Sequence, residues 1–278
     1  MRALAILIAL TFSPVHADAR EFKLATWNLG WLTLRPPGDR ALPANVRPYD
    51  PADLARLRRY AERLHADVIA IQGVDGAQAA AAVFDPAEYD VRLTGDDVVL
   101  RSGVAVRRGL SVRANPDLDA LAPDGHLRSG ADVTVDLAAG VALRVLSVQL
   151  KSGCRVLPLD VPGGDPACAV LRAQGRVVGA WLAQPGPAVA MGDLGRVLDA
   201  GGETAALLGG DPARVTAGHA NPCWGGGAFT DHALLTGAAA QWIVPNSLRV
   251  MVYAETDAIA RAHLPGHCPV SFRLRIPD

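Results

Sequence analysis

Six short segments of this chain gather side chains that can hold cations, bind anions or move protons. In chain order they are Trp27-Asn28-Leu29-Gly30, Ile71-Gln72-Gly73-Val74-Asp75, the run from Ser147 through Gln149 and Lys151 to Cys154, Met191-Gly192-Asp193-Leu194-Gly195-Arg196, Thr230-Asp231-His232, and Pro265-Gly266-His267-Cys268-Pro269. Carboxylates offer the hard oxygen ligands that Mg²⁺ or Ca²⁺ requires. An imidazole beside a carboxylate can take or give a proton near neutral pH. Each residue also has a purely structural reading. Asn28 can cap a turn after a strand, Asp193 follows a glycine where aspartate commonly serves a turn, and His267 can be a hydrogen-bonded structural histidine. His219 and His232 have no local partner pattern and read as surface or structural. Gly225-Gly226-Gly227 lacks the Gly-Lys-Ser/Thr ending and following helix of a phosphate loop, so it reads as a surface loop.

These segments sit at the ends of predicted strands. Strands are expected over residues 21–27, 67–71, 98–106, 132–137, 141–150, 189–191, 228–235 and 270–274. The alternation Leu143, Val145, Ser147 is characteristic of the fifth of these. A helix is predicted from Asp50, with Asp50 as N-cap and Pro51 at the first helical position. Its apolar positions Leu54, Leu57, Ala61 and Leu64 recur at helical spacing. Further helices are expected over 76–84 and 167–182, and residues 33–50 read as a surface loop. Strands and helices mixed in this way predict a layered α/β protein.

The chain has 278 residues, half of them apolar and a fifth charged, and suits one large domain over 20–278. Its formal net charge of −1 argues against tight non-specific DNA binding, which draws on a basic excess. Arg2, the apolar run from Ala3 to Phe12 and Ala17-Asp18-Ala19 form the pattern of an export signal over residues 1–19. That run is shorter than the ~20 apolar residues that cross a bilayer, and no later segment is long and apolar enough. A periplasmic or secreted monomer is therefore expected. In such a compartment the four cysteines suggest disulfides. Of the three pairings, Cys154 with Cys168 and Cys223 with Cys268 is preferred; a zinc site is disfavoured because no C-x-x-C spacing occurs.

In this order, the six segments resemble the motif series of the endonuclease/exonuclease/phosphatase superfamily. That family includes DNase I-like nucleases, abasic-site endonucleases, inositol polyphosphate phosphatases and sphingomyelinases. The resemblance runs from about Phe22 to the C-terminus. It implies a four-layered α/β sandwich, with two central mixed sheets flanked by helices and the site at one end of the sheets. Carried over by position, Asn28 matches the family's first-loop Asn, Asp193 the Asp of its Asp-x-Asn loop, Asp231 the Asp that orients the catalytic His, and His267 that His. Arg128 falls where relatives place an arginine near the phosphate. Gln149 replaces a His that could titrate and is expected to be a buried hydrogen-bonding residue. Gly73 and Gly266 stand where metal-binding carboxylates are expected, and Gly195 where an Asn positions the attacking water.

The resemblance implies a parent activity of Mg²⁺-dependent phosphodiester hydrolysis. The glycines imply that it is lost or strongly impaired, with no metal held and a binding or scaffold role left in its place. The glycines also predict open space at Gly73 and Gly266, and a cleft suited to an anionic or neutral ligand. A phosphate-containing ligand or nucleic acid is compatible with that cleft, although the net charge does not point to one. The rival expectation is an active phosphodiesterase with a rebuilt Mg²⁺ site using Asp193, Asp75, Asp231 and His267. Asp75 lies two residues past Gly73 and ~6.5 Å further along a strand; Asp96 and Asp97 are weaker candidates. A third expectation is a metal-free ester hydrolase with His267 as base.

Overall fold

The computed structural model describes residues 20–159, 163–198, 202–255 and 258–276. The predicted export signal lies outside these residues.

Among the described residues, twelve strands form two six-stranded sheets. The first contains β1 (Glu21–Leu32), β2 (Val68–Val74), β3 (Tyr89–Leu93), β4 (Arg101–Arg107), β11 (Arg249–Val250) and β12 (Val270–Arg275), in the order β11-β12-β1-β2-β4-β3. The second contains β5 (Ser111–Ala114), β6 (Ala131–Ala138), β7 (Val141–Gln149), β8 (Ala188–Asp193), β9 (Ala213–Arg214) and β10 (Asp231–Thr236), in the order β5-β6-β7-β8-β10-β9. Both are mixed: β1 runs parallel to β2 and β7 parallel to β8, and the remaining pairings are antiparallel.

The period-2 alternation of side chains across a strand divides the core into three layers. Leu24, Val68 and Val104 of the first sheet meet Val133, Val145 and Val189 of the second between the sheets. The alternate residues Ala25, Trp27 and Ile69 face outward onto α1 (Pro51–Leu64) and α2 (Gly76–Val83). On the opposite side Leu146 and Val148 face α3 (Pro166–Leu182) and α4 (Glu203–Leu208). The result is helix, sheet, sheet, helix. The central strands are covered on both faces, which is why segments such as Val68-Ile69-Ala70-Ile71 read as continuous apolar runs.

The helix ends follow the predicted chemistry. Asp50 accepts a hydrogen bond from Asp53 N, and the Asp53 carboxylate accepts one from Asp50 N, a reciprocal capping box with Pro51 at the first position. Asp165 caps α3 through Ala167 N, again followed by proline.

The structure corrects several strand bounds. Residues 98–100 are bends, because β2 shifts register between Gln72 and Val74 and offers them no partner. Residues 228–230 are not strand either; β10 begins at Asp231, where β8 ends opposite it. The unpredicted β3 and β5 are edge strands with charged residues, each paired on one side only. Both preferred disulfides are present, Cys154–Cys168 with Cα atoms 5.0 Å apart and Cys223–Cys268 with 5.7 Å. Among the described residues no cysteine is free and no helix is long and apolar enough to cross a membrane.

Candidate functional site

Sheet register brings the polar strand ends together. In the parallel β1–β2 pair Asn28 stands beside Gln72. In the second sheet Asp193 stands between Gln149 on β7 and Asp231 on β10. The two sheets pack so that Asn28 Nδ2 donates to Asp193 Oδ2 at 3.0 Å. His267, three residues before β12, reaches the same point: its Nδ1 lies 2.8 Å from Asp231 Oδ2 and its Nε2 3.7 Å from Asp193 Oδ2. Asn28, Asp193, Asp231 and His267, far apart in sequence, form one cluster.

The structural readings of Asn28 and Asp193 also hold. Asn28 Oδ1 accepts from Gly30 N and Asp193 Oδ1 from Gly195 N, each closing a local turn. These turns fix the rotamers that point the other ends of the side chains at each other.

The electrostatics centre on two buried carboxylates. Burial and the neighbouring charge of Asp231 push the Asp193 pKa up, while His267 and the hydrogen bonds from Gly195 and Asn28 oppose the rise. Burial of His267 works against its charged form, but the charge of Asp231, its hydrogen bond and the charge of Asp193 outweigh that, and the pKa rises to about 9. At neutral pH His267 is therefore an imidazolium that can donate a proton but has no free lone pair to accept one.

Two other groups support the cluster. Tyr253 accepts from Trp27 Nε1 at 2.9 Å and donates to the His267 carbonyl oxygen at 2.6 Å, which fixes the backbone that carries the imidazole. Behind Asn28, Gln72 Nε2 donates to Ser147 Oγ, which donates to the Ile71 carbonyl oxygen. No local pattern marks Tyr253 in the sequence; its partners lie 226 and 14 residues away. Beside His267 opens a cavity of about 220 Å³, lined by Arg155, Trp224, Thr230, Asp231 and Gly266. The Gly225-Gly226-Gly227 run is exposed, as expected of a surface loop, and its last two residues also line this cavity.

The other expected residues fall elsewhere. Asp75 is held by Thr33 Oγ1 at 2.6 Å and Arg35 Nε at 2.7 Å and does not join the cluster, because the chain turns into α2 at this residue instead of continuing β2. Asp96 is held by Ser129. Asp97 lines a groove of about 370 Å³ with Arg128, Trp31 and Leu100. Arg128 is half-buried; burial lowers its pKa, and the charges of Asp193 and Asp96 resist this. Gln149 is half-buried rather than buried, and its Oε1 has no hydrogen-bond partner among the described residues. His232 is buried between Thr216 Oγ1 and the Arg196 carbonyl, and burial lowers its pKa to about 4. His219 is exposed.

The three glycines are not alike. Gly73 adopts φ +75°, and a Cβ there would lie 2.2 Å from the Gly30 carbonyl oxygen. Gly195 adopts φ +63°, and its Cβ would lie 2.5 Å from the Lys151 carbonyl oxygen. Only Gly266 faces open space, with nothing within 4 Å. The expected room at Gly73 is absent, because β1 and β2 both bulge there and their backbones close on each other.

Among the described residues two groups have the spacing to hold a cation: Asp50, Asp53 and His263, and Asp193, Asp231 and His267. In the first, Arg47 and Arg56 already neutralise Asp53. In the second, both Asp193 oxygens and one Asp231 oxygen accept hydrogen bonds; only Asp231 Oδ1 is without one. Mg²⁺ is commonly held by one or two carboxylates with waters completing its shell; Asp193 and Asp231 would be those carboxylates here, and three of their four oxygens already accept hydrogen bonds within the protein.

The sequence matches no family model and no curated protein. The architecture does have solved counterparts. D. rerio TDP2 humanized by 14 mutations superposes with a TM-score of 0.64 at 16% identity, over 92% of this chain and 99% of that one. An endonuclease/exonuclease/phosphatase from Bacteroides vulgatus matches with a TM-score of 0.59 at 13% identity, over 93% and 100%. This chain has the endonuclease/exonuclease/phosphatase fold. A variant of the 3′ phosphatase NExo from Neisseria, solved with a product DNA hairpin, shares the fold with a TM-score of 0.53 at 16% identity, over 92% and 100%. The four-layered DNase I-like sandwich expected from the motif order is the one observed.

Proposed function

We propose that this is an exported, single-domain, monomeric protein of the endonuclease/exonuclease/phosphatase fold in which Mg²⁺-dependent phosphodiester hydrolysis is lost or strongly impaired. Its cleft then serves to bind a phosphate-containing or other anionic ligand. The observation that carries this reading is the closure of Gly73 onto Gly30, which puts a backbone carbonyl where a ligand side chain would have to start. Asn28 with Asp193 and His267 with Asp231 form two hydrogen-bonded pairs, and the protonated imidazole, 3.7 Å from Asp193, offsets the charge of both carboxylates. Arg128, Arg155 and His267 supply positive charge along the cleft for an anion. General base help alone contributes roughly 10²–10⁴-fold, and a protonated His267 does not supply even that at neutral pH. The two disulfides suit the oxidising compartment that the export pattern predicts.

The test is hydrolysis of DNA, RNA and a simple phosphodiester with Mg²⁺, Mn²⁺, Ca²⁺ or chelator. No metal-stimulated turnover is expected, and rapid turnover in Mg²⁺ refutes the reading. One observation favours a second reading: Asp193, Asp231 and His267 lie close enough together to hold a transition-metal ion through mixed oxygen and nitrogen donors. That rebuilt site would hydrolyse a phosphodiester and lose the activity on chelation and in His267→Ala.

A further inference from the structure

The first sheet carries a second concentration of charge, away from the cleft. A cavity of about 370 Å³ opens where β11, β12 and β1 meet, and Lys23, Arg249, Arg273, Ser247 and Ser271 line it. Lys23 precedes Asn28 by five residues on β1, which places the cavity about 16 Å along the strand from the cleft.

The ladder sets the basic residues against one another. Lys23 stands directly opposite Arg273 in the antiparallel β1–β12 pair. Arg249 stands opposite Ser271, on the same face of β12 as Arg273. Like charges directly across a ladder are destabilising, and nearby carboxylates offset these poorly. Glu21 is engaged by Arg275 at 2.6 Å and lies 3.8 Å from Arg273. Asp67 answers the Lys23 backbone N–H but is shared with Arg107. Among the described residues Arg249 donates to the carbonyl oxygens of Asn246 and Leu248 and has no carboxylate partner. The Lys23 pKa is lowered by burial and next by the charge of Arg273.

A second feature is independent of charge. Ser271 lines the cavity, and among the described residues no group hydrogen-bonds its hydroxyl, which is open to the cavity. Ser247 Oγ accepts from Arg273 N, which leaves its own proton free to donate. Two guanidinium groups and two hydroxyl donors therefore line one small cavity.

We propose that this cavity is an oxyanion site, taking a phosphate or sulfate group, free or as a monoester, through Arg249, Arg273, Ser271 and Ser247. Guanidinium groups suit such tetrahedral anions because they donate in pairs.

Calorimetric titration of the whole chain with inorganic phosphate, inorganic sulfate and glycerol phosphate tests this. Saturable uptake of at least one of them is expected at a site distinct from the cleft, and tighter uptake of the ester at that site identifies an esterified group as the ligand. The double variant Arg249→Gln/Arg273→Gln should bind at least about tenfold more weakly, and Ser271→Ala should weaken binding by a smaller factor. His267→Ala and Arg128→Ala, which alter the cleft, remove any uptake there but should leave a saturable component that only the Arg249→Gln/Arg273→Gln variant loses. The folding of the double variant is checked by its Tm without anion, which should equal or exceed that of the parent because like charges have been removed. Absence of saturable uptake at millimolar anion overturns the proposal. So does uptake unchanged in the folded double variant, or uptake abolished by His267→Ala.

Discussion

Placing a side chain at Gly73 should destabilise the fold without creating a metal site. The residue lies at φ +75°, where a β-carbon costs about 1–2 kcal/mol. The new Cβ would also sit 2.2 Å from the Gly30 carbonyl oxygen and 3.0 Å from its carbon, both backbone atoms that cannot turn aside. Overpacking of that kind costs typically about 1–3 kcal/mol. Together they predict a loss of about 3 kcal/mol for Gly73→Ala or Gly73→Glu, roughly 6–12 °C in Tm for a chain of this size. Gly266→Asp provides the contrast, because nothing lies within 4 Å of its Cβ; its Tm should stay within a degree or two. The measurements are urea unfolding with parallel thermal scans, and Mg²⁺ titration of each folded variant. A Gly73→Glu protein as stable as the parent, or one that binds Mg²⁺ tightly, would refute the reasoning, because the carbonyl would then have moved aside.

Other consequences can be measured directly. His267 contributes stability through a raised pKa, so its contribution is complete below pH about 6.5 and is lost as pH climbs through about 9. The full shift corresponds to at most about 3 kcal/mol, and the raised Asp193 pKa has the same sign, removing stability as pH rises through its own titration; the urea midpoint should fall between pH 6 and 10 in the parent and much less in His267→Gln. Tyr253→Phe removes the donor to the His267 carbonyl and strands the buried Trp27 Nε1, at about 1–3 kcal/mol by equilibrium unfolding. Replacing Cys223 and Cys268 by serine should cost about 4 kcal/mol, against about 3 for the Cys154–Cys168 pair, because the loop it closes spans 45 residues rather than 14. A larger loss for the short loop would contradict the chain-entropy account.

The parts of the fold legible in the sequence are those governed by short-range chemistry. Asp50-Pro51 announces α1 because capping depends on neighbours, and Ile69 and Ile71 mark β2 because both faces are buried. The edge strands β3 and β5 are not legible, since Tyr89-Asp90-Val91-Arg92-Leu93 buries little and its partner is set by the sheet. The four surviving site residues can be found from the order of their motifs, yet their contacts depend on register: Asp231 meets Asp193 only because β10 begins opposite the end of β8. Two features lie out of reach. Residue types say that Gly73 has no side chain, but not that a carbonyl fills the vacant volume. Strand periodicity would carry Asp75 toward the cleft, and the chain turns into α2 before that periodicity applies.

The imidazolium of His267 is a counter-ion covalently tethered to the carboxylates it neutralises. A dissolved cation occupies a site according to its concentration, and a fold that depends on one inherits the fluctuations of the medium. A tethered charge is present at the same effective concentration everywhere. On the reading proposed above, the acidic strand ends would stay packed where divalent ions are scarce or chelated, and the shape of the cleft would not depend on metal supply.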